Sequence, residues 1–219
     1  MTEIKEYITN DYKAIDSQSK ISEIQDFFTE VAFSHFPILN EGIYIGSMVA
    51  DDIETLDSDK KASDYLYTLE TFFARDTMIW LDVLEVFAKN HTTVVPVLNQ
   101  ENEYLGYYEL EDILKFFHET PFFREPGGII VVQKNITDYS MSQIAQIVES
   151  NNAKLLGMFV SEANSENIQI TIKTTVGFLN DIIQTFRRYN YEIISEHHED
   201  IYLNSLRERS EYLDKYLNI

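Results

Sequence analysis

Two stretches of the chain repeat one another about sixty residues apart. His35-Phe36-Pro37-Ile38-Leu39-Asn40, Tyr44-Ile45-Gly46 and Asp52-Ile53 return as Val94-Val95-Pro96-Val97-Leu98-Asn99, Tyr104-Leu105-Gly106 and Asp112-Ile113. The offset is 59 at Pro37/Pro96 and 60 at both Gly46/Gly106 and Asp52/Asp112, so one residue has been added in the intervening turn. A duplicated unit predicts one pseudo-symmetric module, because neighbouring copies bury a shared core.

Within the first copy, Ile21, Ile24, Phe27, Phe28 and Val31 fall at helical spacing, followed by short apolar strands at Phe36 to Leu39 and Ile43 to Val49 and a helix starting near Asp51. In the second, Ile79, Val83, Val86 and Phe87 mark a helix, Val94 to Leu98 and Tyr104 to Tyr108 the strands, and Glu109 to Phe117 the closing helix. Each copy therefore reads α-β-β-α. The run Asp57 to Asp64 is polar and charged, a connector by composition.

Thr120-Pro121 and Pro126-Gly127-Gly128 punctuate the chain again, and the pattern after them changes. It reads strand Gly128 to Val132, helix Met141 to Glu149, strands Lys154 to Ser161 and Asn167 to Thr174, helix Val176 to Tyr189 and strand Tyr191 to Ser195. In the third of these strands Ile168, Ile170 and Ile172 alternate with Gln169, Thr171 and Lys173, as in a sheet with one wet face. Phe178, Leu179, Ile182, Ile183 and Phe186 form a helical stripe that can cover the other face. The order β-α-β-β-α-β is the split, ferredoxin-like plan. Asp200 to Ile219 reads as a further helix that either docks back or meets a second copy. The expected division is 1–64, 65–120, a linker at 121–127, 128–198 and 199–219.

Composition excludes several classes. Residues 1 to 120 carry 24 Asp and Glu against 8 Lys and Arg, which repels nucleic-acid phosphates and anionic membranes. No run reaches the ~20 apolar residues of a bilayer helix. The stretch Met1 to Asp16 lacks the apolar core of a secretory signal, and zero cysteines suits a reducing cytoplasm. No phosphate-cradling Gly-x-x-x-x-Gly-Lys, no Gly-x-Ser-x-Gly and no dinucleotide fingerprint occur, so a non-enzymatic role is expected. His197-His198-Glu199-Asp200 is the one dense group of possible metal ligands, and adjacent side chains diverge, so it reads as a wet turn with no metal.

The repeated pattern of Pro, apolar-Gly, then Asp six residues after the Gly at the head of a helix resembles the cystathionine-β-synthase-type (CBS) domain. Two copies resemble a paired CBS module covering roughly Tyr7 to Phe117. The resemblance implies a regulatory protein that binds an adenosyl ligand (AMP, ADP, ATP or S-adenosylmethionine) in the cleft between the copies. It implies Asp52 and Asp112 as partners of the ribose hydroxyls, and His35, Phe36, Val94 and Val95 as the positions whose backbone meets the base. A carboxylate at such a helix start is also favourable with no ligand at all, by about 0.3–1 kcal/mol. The second half is similar to an ACT domain, and the order of parts resembles bacterial acetoin-utilisation-type CBS proteins. That likeness implies a homodimer acting on an unidentified protein target.

Two departures from the family pattern refine the expectation. Where nucleotide-binding members carry Thr or Ser three residues after the Gly, this chain has Val49 and Glu109, and Asp51, Glu109 and Glu111 put acid where phosphate would lie. A positive or neutral tail on the adenosyl ligand is expected over ATP, with a ligand-free interaction scaffold as the alternative. In the ACT-like half, the loop Ile136-Thr137-Asp138-Tyr139-Ser140-Met141 lacks the Pro-Gly of amino-acid-binding members; Asp138 or Ser140 caps the next helix.

Overall fold

In the computed structural model, which describes residues 4–176 and 179–195, each repeat opens with a strand only two residues long. The first repeat runs β1 (Ile15–Asp16), α1 (Ile21–Glu30), β2 (His35–Asn40), β3 (Ile43–Val49) and α2 (Ala50–Ile53). The second runs β4 (Ala74–Arg75), α3 (Trp80–Asn90), β5 (Val94–Leu98), β6 (Tyr104–Glu109) and α4 (Leu110–His118). Each copy is thus β-α-β-β-α, one strand more than its hydrophobic pattern announces, because alternation cannot be read from two residues.

The symmetry extends to register. Ile15 pairs with Ile38 in parallel, and Ala74 with Val97, each exactly one repeat apart. The antiparallel ladders shift register between Ile38 and Leu39, and again between Val97 and Leu98. Opposite those shifts stand Gly46 at φ 148° and Gly106 at φ 145°. Each repeat has its own core beneath its helices: Ile21, Ile24, Ile38, Met48 and Ile53 in the first, Val83, Phe87, Val95, Val97, Tyr108 and Ile113 in the second.

Neither core is closed by its own repeat. The 3-10 turn Ile4–Tyr7, which precedes the first repeat, packs Ile4, Tyr7 and Ile8 into the second, where Thr9 pairs antiparallel with Tyr107. The 3-10 segment Ala62–Thr68, which precedes the second, packs Ala62, Tyr65 and Leu69 into the first, where Glu70 pairs with Ser47. This exchange explains both glycines. A methyl group on Gly106 would stand 2.5 Å from the Thr9 carbonyl oxygen, and one on Gly46 would stand 2.8 Å from Leu69 Cβ. The glycines let the exchanged segments approach the strands.

The second unit, Glu119–Ile219, begins with the short helix α5 (Pro121–Arg124), inside the stretch expected as a linker. It continues as β7 (Gly127–Asn135), α6 (Met141–Ser150), β8 (Leu155–Ala163), β9 (Asn167–Thr175), α7 (Leu179–Arg188) and β10 (Glu192–Ile193). The antiparallel sheet has the order β10-β7-β9-β8, the ferredoxin-like arrangement expected from the sequence. Ile168, Ile170 and Ile172 are buried with Ile182, Ile183 and Phe186 of α7. Ser140 caps α6, its hydroxyl accepting from the Gln143 amide at 3.3 Å; Asp138 does not. Phe178, the His197 to Asp200 group and the expected terminal helix lie outside the described residues.

Candidate functional site

The two repeats meet at a pair of equivalent residues. Ser34 and Thr93 each stand three positions before a repeat proline, and each donates its backbone amide to the other's hydroxyl oxygen at 2.9 Å. The hydroxyls are 3.3 Å apart. The pseudo-two-fold relation thus runs between these residues. Each of their carbonyls also accepts the first amide of its own closing helix, Ala50 N to Ser34 O at 2.8 Å and Leu110 N to Thr93 O at 3.0 Å. The joint therefore ties both strand starts and both closing helices together.

Around it lies an aromatic cluster. Phe36, Val94 and Tyr107 are fully buried against Ile15, Phe27, Phe28 and Phe33. Phe33 stacks on Phe36 with centroids 5.5 Å apart, and Phe27 and Tyr107 lie 4.6 and 5.3 Å from Phe36. On one side Tyr12 of the N-terminal segment sets its ring edge against Phe33, while its backbone amide donates to the Tyr107 hydroxyl.

The other side carries a polar chain. His35 is buried, its Nδ1 lying 2.9 Å from Ser34 Oγ and its Nε2 lying 3.2 Å from Glu70 Oε2. One proton assignment satisfies the chain: Thr93 donates to Ser34, Ser34 donates to His35 Nδ1, and His35 Nε2–H donates to the Glu70 carboxylate. Phe72 packs edge-on against the imidazole at 5.4 Å. The connector is thereby fastened to the joint through a side chain as well as through its pairing with Ser47.

The six residues singled out in the sequence divide between core and rim. Phe36, Val94 and Val95 are fully buried and His35 nearly so, which leaves only backbone groups to meet a base. The Thr92 hydroxyl engages both backbone groups of Val94, donating to its carbonyl at 2.7 Å and accepting from its amide at 3.1 Å. Asp52 is exposed in the first turn of α2. Asp112, in the first turn of α4, is partly covered and meets Lys115 at 3.3 Å. Ser34, Thr93, Glu70 and Tyr12 were not picked out from the sequence. The equal spacing of Ser34 and Thr93 from the repeat prolines is a signal that could have found the first two.

The second repeat's rim is strongly acidic. Burial, followed by the carboxylates of Asp112, Asp11 and Glu111, pushes the Glu109 carboxyl above its ordinary value of 4.5. Folded Glu109 therefore keeps a proton that the unfolded chain has released. Stability from this group falls as pH rises from 4.5 through the raised value, and the penalty persists at neutral pH. Glu109→Gln is expected to add up to about 0.5 kcal/mol at neutral pH, a small gain because water still reaches the partly buried carboxyl and screens its neighbours, and nothing below the ordinary carboxylate range. Urea unfolding at the two pH values checks it; an equal change at both contradicts it.

Among the described residues no group of three or more His, Asp or Glu is arranged to hold a metal ion, and no helix is long and apolar enough to cross a membrane.

Solved structures similar to this chain include a CBS domain pair/ACT domain protein from Thermotoga maritima, at 19% identity and a TM-score of 0.48, covering 54% of this chain and 98% of that one. The CBS pair domain of a putative Mg2+ transporter from Shewanella oneidensis MR-1 matches at 18% identity and 0.47, over 54% and 71% of the two chains. The CBS domains of a transcriptional regulator from Streptococcus pneumoniae match at 13% and 0.46, over 52% and 98%. No curated protein matches the chain. Residues 68–119, the second repeat with the end of its connector, match the family model of the CBS domain.

Proposed function

We propose that the first unit is a paired regulatory module that senses an adenosyl metabolite between its repeats, and that the second unit pairs two chains. The observation that carries this reading is the reciprocal Ser34–Thr93 joint. It sets the two repeats face to face, with an aspartate in the first turn of each closing helix. Asp52 and Asp112 would take ribose hydroxyls, and the strand starts at His35, Phe36, Val94 and Val95 would read the base through their backbone. A ligand there changes the relation of the repeats only by as much as it prefers one arrangement, and an unidentified protein target reads that change.

The raised Glu109 carboxyl sharpens the ligand. A site already crowded with Asp11, Glu111 and Asp112 resists a triphosphate and favours a cationic or neutral tail, so S-adenosylmethionine or adenosine is expected over ATP. Melting the purified chain with adenosine, AMP, ADP, ATP and S-adenosylmethionine, with and without Mg2+, tests this. Ligand at a hundred times its Kd adds about 2.7 kcal/mol of apparent stability. S-adenosylmethionine should raise the melting temperature more than ATP, and Asp52→Ala or Asp112→Ala should reduce the shift. A flat panel supports the alternative of an interaction scaffold with ligand-free clefts, which the complete burial of Phe36, Val94 and Val95 favours.

A further inference from the structure

The second unit covers only one face of its sheet with α6 and α7. Ile130 and Val132 of β7 and the isoleucines of β9 point to that covered side, and the residues between them point to the other. Ladder register sets these outward residues in three rows across the strand order β10-β7-β9-β8. Glu192, Gln133, Gln169 and Glu162 form the first row. Ile194, Val131, Thr171 and Phe159 form the second, which Ile194 joins through its amide, donating to the Val131 carbonyl at 2.8 Å. Ile129 and Lys173 form the third, which ends at Gly157 beneath the Phe122 ring of α5.

The rows differ in chemistry. Ile129 and Phe159 are 50% exposed and Ile194 40%, on a face where an open antiparallel sheet ordinarily carries polar side chains. The first row is polar and acidic at both ends, with Gln169 donating to Gln133 and Gln133 to Glu192. The third carries the positive charge of Lys173. Neither Lys173 nor Glu162 has an ion pair among the described residues.

Other routes to a second copy are blunted. β10 is only two residues long, and β8, the opposite edge, shifts register between Leu155 and Gly157 and again between Val160 and Glu162. Such irregular edges interrupt the row of hydrogen-bonding groups that an added strand would need. The surplus of acids in residues 1 to 120 disfavours pairing through the first unit.

We propose that two copies of the chain stack these open faces on each other, about a two-fold axis that runs across the strands between the sheets. The proposal rests on the reading that the second unit pairs two chains, and it names the surface. Such an axis sets the second row on its own copy, apolar on apolar, at the usual sheet separation of about 10 Å. It also sets the third row of each chain against the first row of the other, so that Lys173 meets the partner's Glu162 and the contact occurs twice. An axis along the strands would instead lay Glu192 against the partner's Glu162 and Lys173 against the partner's Ile129. Charge complementarity therefore selects the first arrangement.

Analytical ultracentrifugation of the full chain over a concentration series tests this. The parent should be a dimer, and the Ile129→Arg, Phe159→Arg double variant, changed only at exposed positions, should be a monomer. Lys173→Glu and Glu162→Lys should each weaken the dimer at least about tenfold, and the two together should restore most of the loss, which misfolding could not do. Because the chain has no cysteine, Thr171→Cys in the second row should cross-link to its own copy on oxidation, while Glu149→Cys on α6 should not. A dimer that survives Ile129→Arg, Phe159→Arg, or a double charge reversal no better than the single ones, would overturn this face and leave the pairing of chains standing. A monomeric parent would overturn both. A monomer whose Thr171→Cys thiol resists alkylation would assign the face to residues 196–219 of the same chain.

Discussion

Phe36→Ala is expected to lower the unfolding free energy by about 3–5 kcal/mol, the largest effect of any single truncation named here. The ring is fully buried where the repeats meet, with Phe27, Phe33 and Tyr107 packed on it. Those neighbours come from both repeats and are themselves large, so they cannot collapse into the space without breaking the Ser34–Thr93 contact beside it. Phe33→Ala removes a ring of the same size from a partly exposed position and should cost less. Urea unfolding of the two variants checks the order. A loss below about 1 kcal/mol for Phe36→Ala would mean that the cluster does not join the repeats.

Gly106→Ala is expected to cost about 2–3 kcal/mol, more than Gly46→Ala. Both glycines have positive φ, so both substitutions strain the backbone. They differ in what the new methyl meets. At Gly106 it meets the Thr9 carbonyl, held by a two-way backbone pair with Tyr107 at 3.0 Å in each direction, and the Asn10 amide, which is bonded to the Leu105 carbonyl. At Gly46 the nearest atom belongs to the Leu69 side chain, with the Glu70 carbonyl at 3.2 Å. Because the displaced N-terminal segment also closes the second core, Gly106→Ala should expose Ile4, Tyr7 and Ile8 together. Faster amide exchange at residues 4–10 than in the parent reports this, and a Gly106→Ala chain as stable as the parent contradicts it.

What could be read from the sequence was whatever recurs at a fixed period. The spacing of Pro37, Gly46 and Asp52 against Pro96, Gly106 and Asp112 announces the duplication, and the alternation of Ile168, Ile170 and Ile172 announces a one-sided strand. The strands at Ile15–Asp16 and Ala74–Arg75 are too short to carry a period. The exchange of segments was hidden for a different reason. Ile4, Tyr7 and Ile8, like Tyr65 and Leu69, are scattered apolar residues in polar stretches, and nothing local says which core they serve. For the candidate site, the sequence placed the two aspartates at helix starts, where the structure has them. It could not show that Glu70, 35 residues from His35, lies against its ring, because that contact exists only once the connector has crossed to the first repeat.

The proposed adenosyl site between the repeats would hold its ligand by the ribose, through Asp52 and Asp112. Calorimetric titration of S-adenosylmethionine into the parent chain and into the Asp52→Ala, Asp112→Ala double variant tests it most directly. Saturable heat in the parent, with binding weakened at least about tenfold in the double variant, is the predicted result. No heat in the parent, or the same Kd in both, would contradict it.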